Sequence, residues 1–217
     1  RVDSVGRIDA DRSSVLSDGP VDIVGDGAVS LRNASVNNQG NGKQFAINAG
    51  SDVDAADSSL RSSGPVSVTS GGTTSLPNAS IDNRGNGKEL RLNSAGGVTA
   101  TNASLLSGGE TSVTASGKIN LTDAEVDNRG NSGDLALVAD SDISLVQAVL
   151  RSGGVATATV PDQNNRGGNN AGGRNNPGGN AYIVDVTNAT LDAAGTPDLD
   201  IVPDDAKVGT PSDGSTG

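Results

Sequence analysis

Apolar residues recur two positions apart in short stretches along this chain, and glycine and polar residues separate the stretches. One apolar marker residue returns at steps that alternate between 21 and 24 along the chain. A period of two is the spacing of a β-strand, and no stretch shows helical spacing. The sequence therefore predicts alternating 21-residue and 24-residue coils, each with three short strands. The markers are Val15, Val36, Leu60, Ile81, Leu105, Val126 and Leu150.

Fixed positions in each coil also carry the same kind of residue. An antiparallel meander would not produce this, whereas stacked parallel coils would, because equivalent residues then lie about 4.8 Å apart in ladders. Two positions after the marker, Asn and Ser alternate in a polar ladder of Asn38, Ser62, Asn83, Ser107, Asn128 and Ser152. Four positions after the marker lies a glycine column of Gly19, Gly40, Gly64, Gly85, Gly109, Gly130, Gly154 and Gly195.

These patterns predict an all-β fold, a single-stranded parallel β-helix with three faces per coil. One shorter and one longer coil together form a 45-residue double repeat. The predicted β-helix spans residues 1–203 and carries a Gly/Asn-rich loop insertion at 161–180, after which the repeat resumes. Residues 204–217 are predicted to form a polar C-terminal tail.

The polar ladder and the glycine column are first interpreted as structural. Stacked amides and hydroxyls can satisfy turn backbone, with a metal or ligand ladder as the alternative. The glycines indicate turns with left-handed or closely approached backbone. The three extra residues of the longer coils fall in loops at 40–43, 85–88 and 130–133. We expect these loops to be solvated turns at one corner, because a phosphate-binding loop needs a following helix.

Composition excludes several classes of function. Of 217 residues, 33% are hydrophobic and 1% aromatic, and the formal net charge is −11, which argues against nucleic acid as a partner. The chain has no His, Cys or Met, so it has no imidazole or thiolate metal site, no disulfide and no Ser-His or Cys-His catalytic pair. No apolar run of about 18 residues predicts a membrane span.

The segment Val126-Asp127-Asn128-Arg129-Gly130, with its relatives starting at Val36 and Ile81, resembles the repeats of filamentous-haemagglutinin-like exoproteins. The resemblance covers most of residues 2–201 as a pattern. It implies a right-handed parallel β-helix and an exported, non-enzymatic role in adhesion or scaffolding. It carries over no functional site.

Two kinds of candidate chemistry remain. Asp82 and Asp127 occupy equivalent positions two coils apart, where we expect them to pair with Arg84 and Arg129. Paired-carboxylate catalysis and Ca²⁺ binding are the alternatives, and no other cofactor is indicated. Asn-x-Ser/Thr sequences make five residues candidate glycan acceptors, although Asn also suits turns. They are Asn33, Asn78, Asn102, Asn120 and Asn188.

The leading hypothesis is a non-enzymatic structural β-solenoid, extracellular or at the cell surface, that stacks end to end into a homopolymeric filament. Apolar repeat residues reach both ends of the predicted β-helix, at Val2 and Ile8 and at Leu199 and Ile201. Solenoid ends expose strand edges that need a cap or a partner. The alternative is an adhesin passenger fragment of a larger exoprotein, with cell-surface or matrix glycans as partners. A polysaccharide-active β-helix enzyme is the third class.

Overall fold

The computed structural model describes residues 1–85, 88–131, 133–160, 184–193 and 200–202. Its strands are numbered in chain order, and each coil adds one strand to each of three parallel sheets. Sheet 1 consists of β1 (Val2–Ser4), β4 (Val21–Gly25), β7 (Phe45–Ala49), β10 (Val66–Ser70), β13 (Leu90–Ser94), β16 (Thr111–Ala115), β19 (Leu135–Ala139), β22 (Ala156–Thr159) and β25 (Asp200–Val202).

Sheets 2 and 3 complete each coil. Sheet 2 has the shortest strands, β2 (Ile8–Asp9), β5 (Val29–Ser30), β8 (Val53–Asp54), β11 (Thr74–Ser75), β14 (Val98–Thr99), β17 (Ile119–Asn120), β20 (Ile143–Ser144) and β23 (Val184–Asp185). Sheet 3 has β3 (Ser14–Ser17), β6 (Ser35–Asn38), β9 (Ser59–Ser62), β12 (Ser80–Asn83), β15 (Ser104–Ser107), β18 (Glu125–Asn128), β21 (Val149–Ser152) and β24 (Thr190–Ala193).

Strand pairing confirms the predicted fold class. In sheet 3 the marker Val36 pairs with Leu60, and Ile81 pairs with both Leu60 and Leu105, so longer and shorter steps of the register alternate as predicted. Parallel strands with these steps make a three-faced β-solenoid. Its right-handed sense stays a prediction.

The core is a narrow column inside the coils. The markers from Val36 to Leu150 are buried in it, as is Phe45, the single phenylalanine, which is stacked in register between Val21 and Val66. Full burial of such a side chain contributes roughly 1.5–3 kcal/mol. A chain with little apolar content can fill this core because each face supplies only a few inward positions per coil.

The solenoid continues after residue 160. Ile143 pairs with Val184, and Leu150 pairs with Leu191, so one step of the register spans 41 residues where the alternation predicts 21. The insertion predicted at 161–180, the tail predicted at 204–217, and Gly195 and Leu199 lie outside the described residues. The 3₁₀ turn Arg129–Asn131 is the only helix in the described ranges, which contain no helix capable of spanning a membrane.

The left-handed turns do not lie in the described part of the glycine column. Each coil has a non-glycine residue with φ between 52 and 57° three positions before the marker: Arg12, Asn33, Asp57, Asn78, Asn102, Asp123, Gln147 and Asn188. The one described glycine with positive φ is Gly42, outside that column. These turns join sheets 2 and 3.

Two members of the glycine column do meet the expectation of close approach. A Cβ added to Gly40 or Gly64 would lie 2.1 Å from the carbonyl oxygen of Asp18 or Lys43. At Gly85 the nearest atom would be 3.3 Å away, and at Gly19 it would be 3.9 Å away. Glycine is therefore sterically required in parts of this column and not throughout it.

Candidate functional site

The corner between sheets 3 and 1 carries the longer loops, and each of them is fixed by an Asn of the polar ladder. Asn38 Nδ2 donates to the carbonyl oxygens of Lys43 at 2.7 Å and Gln44 at 3.0 Å. The same pair of bonds recurs from Asn83 to Lys88 and Glu89 (3.3 and 2.7 Å) and from Asn128 to Gly133 and Asp134 (3.0 and 2.8 Å).

Serine takes the place of Asn in the shorter coils. Ser62 Oγ donates to the Lys43 carbonyl at 3.4 Å, and it accepts the N–H of Gly64 at 3.1 Å. Ser107 likewise donates to the Lys88 carbonyl and accepts the N–H of Gly109. Ser152 donates to the Gly133 carbonyl and accepts the N–H of Gly154. One loop carbonyl is thus shared by an Asn and by the Ser of the next coil. The buried ladder therefore serves the turn backbone.

A notch of about 430 Å³ opens at this corner, over the short turn at 62–64. The coil on one side contributes Asn37 and Gln39, and the coil on the other side contributes Asp82 and Arg84. Arg61, next to the marker Leu60, lies between them on the outer face of sheet 3.

Asp82 contributes a carboxylate to the lining of the notch, next to the two guanidinium groups of Arg61 and Arg84. Arg84 donates from Nε to Oδ1 at 3.1 Å and from Nη2 to Oδ2 at 3.0 Å. These bonds lower the pKa of Asp82 against the opposing effect of desolvation. Arg61 Nη2 lies 3.7 Å from Asp82 Oδ2, which is too long for a hydrogen bond. The side chain of Arg61 is 64% exposed.

The expected pairing of the two equivalent carboxylates with arginine is confirmed. Arg129 binds Asp127 as Arg84 binds Asp82, through Nε at 3.1 Å and Nη2 at 2.8 Å, and lowers its pKa. A general acid needs the opposite shift, towards a raised pKa. Among the described residues, no group of three or more acidic side chains is placed to hold a metal ion.

The candidate glycan acceptors divide into two kinds. Asn33, Asn78, Asn102 and Asn188 are exposed and occupy the left-handed turn position. Asn120 instead lies in β17, where its Oδ1 accepts from both the backbone and the hydroxyl of Thr122 at 3.1 and 2.7 Å. Modification at any of the five stays a prediction.

The residues predicted at the assembly ends lie in edge strands where they are described. Val2 in β1 is 51% exposed, whereas Ile8 in β2 is buried. Ile201 lies in β25 and pairs with Ala158. Two further apolar residues of the first coil, Val5 and Leu16, are 94% and 70% exposed.

The repeat pattern alone does not mark Arg61, Asn37 or Gln39 as functional residues. The sequence feature that could have indicated this site is the outward-facing position directly after the marker. It changes from Asn37 to Arg61 to Asp82 in successive coils. In comparisons with known proteins, the chain matches no protein family, no curated protein and no solved structure. The resemblance to haemagglutinin-like repeats therefore stays a prediction from sequence motifs.

Proposed function

We propose that this chain is a non-enzymatic structural β-solenoid of the cell surface or extracellular space, and that its coils stack end to end into a filament. The observation that carries the proposal is the open edge of the first coil. Within the part of the chain that the structure describes, strands β1, β2 and β3 each pair with a strand on one side only. An unpaired strand edge accepts a further strand through main-chain hydrogen bonds.

The opposite end of the solenoid is complementary to the first. Among the described strands, β25, β23 and β24 are the last of their sheets, and each has a single neighbour. Parallel addition of β1–β3 to these strands would continue the spacing of about 4.8 Å. Such a head-to-tail contact is heterologous and propagates without closing into a dimer.

The non-enzymatic and extracellular parts of the proposal have separate support. The described carboxylates with shifted pKa values, such as Asp82 and Asp127, are shifted downwards by hydrogen bonds, which disfavours general acid catalysis. The extracellular location is supported by the repeat resemblance alone.

Substitution at Asp9 tests strand addition at the open edge. Ile8 and Ala10 donate their N–H groups to Ala28 and Ser30 of the second coil, both at 2.9 Å. Because alternate residues of a parallel strand bond to opposite neighbours, the N–H of Asp9 points to the open side. Asp9→Pro removes this donor and keeps both bonds to the second coil. Asp9→Asn keeps the donor and is the matched control.

We expect electron microscopy to show filaments for the parent protein and Asp9→Asn, and folded single subunits for Asp9→Pro. Circular dichroism checks that all three proteins fold. Filaments of normal length from Asp9→Pro would contradict end-to-end strand addition. Monodisperse monomers of the parent protein would instead favour the adhesin passenger fragment, in which neighbouring coils of the same polypeptide cover these edges.

A further inference from the structure

The geometry points to the notch at Arg61 as a binding site for the carboxylate of an acidic sugar, a function beyond the proposed filament. Its volume of about 430 Å³ falls within the range of about 300–1,000 Å³ that is typical of small-molecule sites. The notch opens sideways from a corner, so a ligand there would not compete with strand addition at the coil ends.

Arg151 occupies the same repeat position as Arg61 and provides a comparison. It stands in register with Asp127 on one side and Asp192 on the other, and its Nη1 pairs with Glu125. The Arg151 guanidinium group is thus already bound by a carboxylate, and its side chain is 30% exposed, against 64% for Arg61. The structure leaves it little capacity for another anion.

Arg61 occupies the same position two double repeats earlier, in neutral surroundings on one side. Asn37 replaces Asp127, and Ser35 replaces Glu125. The remaining carboxylate, Asp82, lies 3.7 Å from Nη2 and is already bound by Arg84. The guanidinium fork of Arg61 is therefore exposed and has no hydrogen bond within the described chain, and such a fork matches a carboxylate in bidentate geometry.

The other groups of the notch suit hydroxyls. The side-chain amides of Asn37 and Gln39 make no hydrogen bond within the described residues, and each offers both a donor and an acceptor. Ser63 Oγ donates to the Gly40 carbonyl at 2.6 Å and can still accept. Asp82 can accept a further hydroxyl, since a carboxylate has about four lone-pair sites. A neutral sugar would leave the guanidinium fork of Arg61 without a bidentate partner, and a bare anion would leave the amides unused.

Local charge favours an anion despite the acidity of the whole chain. The notch is lined by two guanidinium groups and one carboxylate, whereas the chain carries a net charge of −11. At physiological salt the distant acidic groups are screened beyond about 8 Å. With no aromatic ring in the lining, affinity depends on polar contacts, and we expect a Kd of about 1 mM for a monosaccharide.

The experiment is a titration of the ¹⁵N-labelled protein with sodium glucuronate, followed by NMR, with glucose and sodium acetate as matched probes. We expect saturable shifts at Asn37, Gln39 and Ser63 with glucuronate, and binding at least about tenfold weaker for glucose and acetate. Equal affinity for acetate would overturn the sugar assignment, and equal affinity for glucose would overturn the role of the carboxylate. No saturation by about 20 mM glucuronate would overturn the site.

Variants of the protein separate the site from general charge effects. Arg61→Leu introduces the residue that Leu106 provides in the next double repeat, and we expect Kd to rise about tenfold or more. Arg91→Leu removes a similarly exposed arginine on sheet 1 and should change Kd less than about twofold. An equal loss in both variants would overturn the proposal. Thermal melts of both variants check that each is folded.

Discussion

At the residue scale, the most regular feature is the left-handed turn three positions before each marker. An L-residue in this conformation costs roughly 1–2 kcal/mol, and Asn and Asp reduce the cost through local hydrogen bonds of their short side chains. Six of the eight positions hold Asn or Asp, and the other two hold Arg12 and Gln147. The left-handed backbone conformation of the turn between sheets 2 and 3 thus favours Asn and Asp at this position.

Gln147 provides a direct test because its φ is 56° and it is exposed. We expect Gln147→Asn to stabilise the protein by about 0.5–1 kcal/mol, a gain of roughly 1–4 °C in Tm. The reverse change at an equivalent turn, Asn102→Gln, should lower Tm by a similar amount. Thermal melts measure both, and identical Tm values for the two variants would show that backbone conformation does not set the residue type here.

At the element scale, ladder residue and loop length are coupled. Asn38 reaches across the longer loop to the carbonyls of Lys43 and Gln44, whereas Ser62 suits the shorter turn of the next coil. The alternation of Asn and Ser therefore follows from the alternation of longer and shorter coils. A loop and its ladder residue should be exchangeable only as a pair.

Deletion of residues 41–43 tests this coupling, because it converts a 24-residue coil into a 21-residue coil. Alone, the deletion removes one acceptor of the buried Asn38 amide, and we expect a loss of about 1–3 kcal/mol beyond any effect of the loop itself. Adding Asn38→Ser to the deletion should recover much of that loss in urea unfolding. If the paired change is no more stable than the deletion alone, ladder and loop are independent.

The ladders made the strands, the coil lengths and the parallel stacking predictable from sequence. The position of the left-handed turn was not, because Gly and Asn both tolerate that conformation and both recur in every coil. The notch escaped prediction for another reason. Arg61 and Arg151 look equivalent in sequence, and only their neighbours across the stack show that one is satisfied and the other exposed.

At the scale of the whole molecule, the folding stability depends on pH because two carboxylates are paired with arginines. Hydrogen bonds from Arg84 and Arg129 lower the pKa values of Asp82 and Asp127 in the folded state. The unfolded chain therefore binds more protons at low pH, and stability rises with pH in that range. This contribution is complete above the ordinary carboxyl pKa of about 4 and is lost as pH falls through the folded values.

We therefore expect the urea midpoint to fall as pH is lowered from about 5 to 2. The double variant Asp82→Asn, Asp127→Asn should show a flatter pH dependence in this interval, although it is less stable at neutral pH. Asp3→Asn is the matched control, since Asp3 is an exposed partner of Arg1. If the urea midpoint of the double variant changes with pH as steeply as that of the parent, these two ion pairs do not cause the pH dependence.

The 41-residue step between Ile143 and Val184 also has a consequence during synthesis on the ribosome. Closing the longer segment costs only about 0.5 kcal/mol more entropy than closing an ordinary coil, so the final coil remains thermodynamically accessible. Translation proceeds at about 5–20 residues per second, and the stretch between β22 and β23 therefore takes roughly one to five seconds. During that interval β20 and β21 each have an unpaired edge, because their partners β23 and β24 have not yet been synthesised. The rate of translation therefore sets how long the incomplete solenoid can pair with a wrong strand.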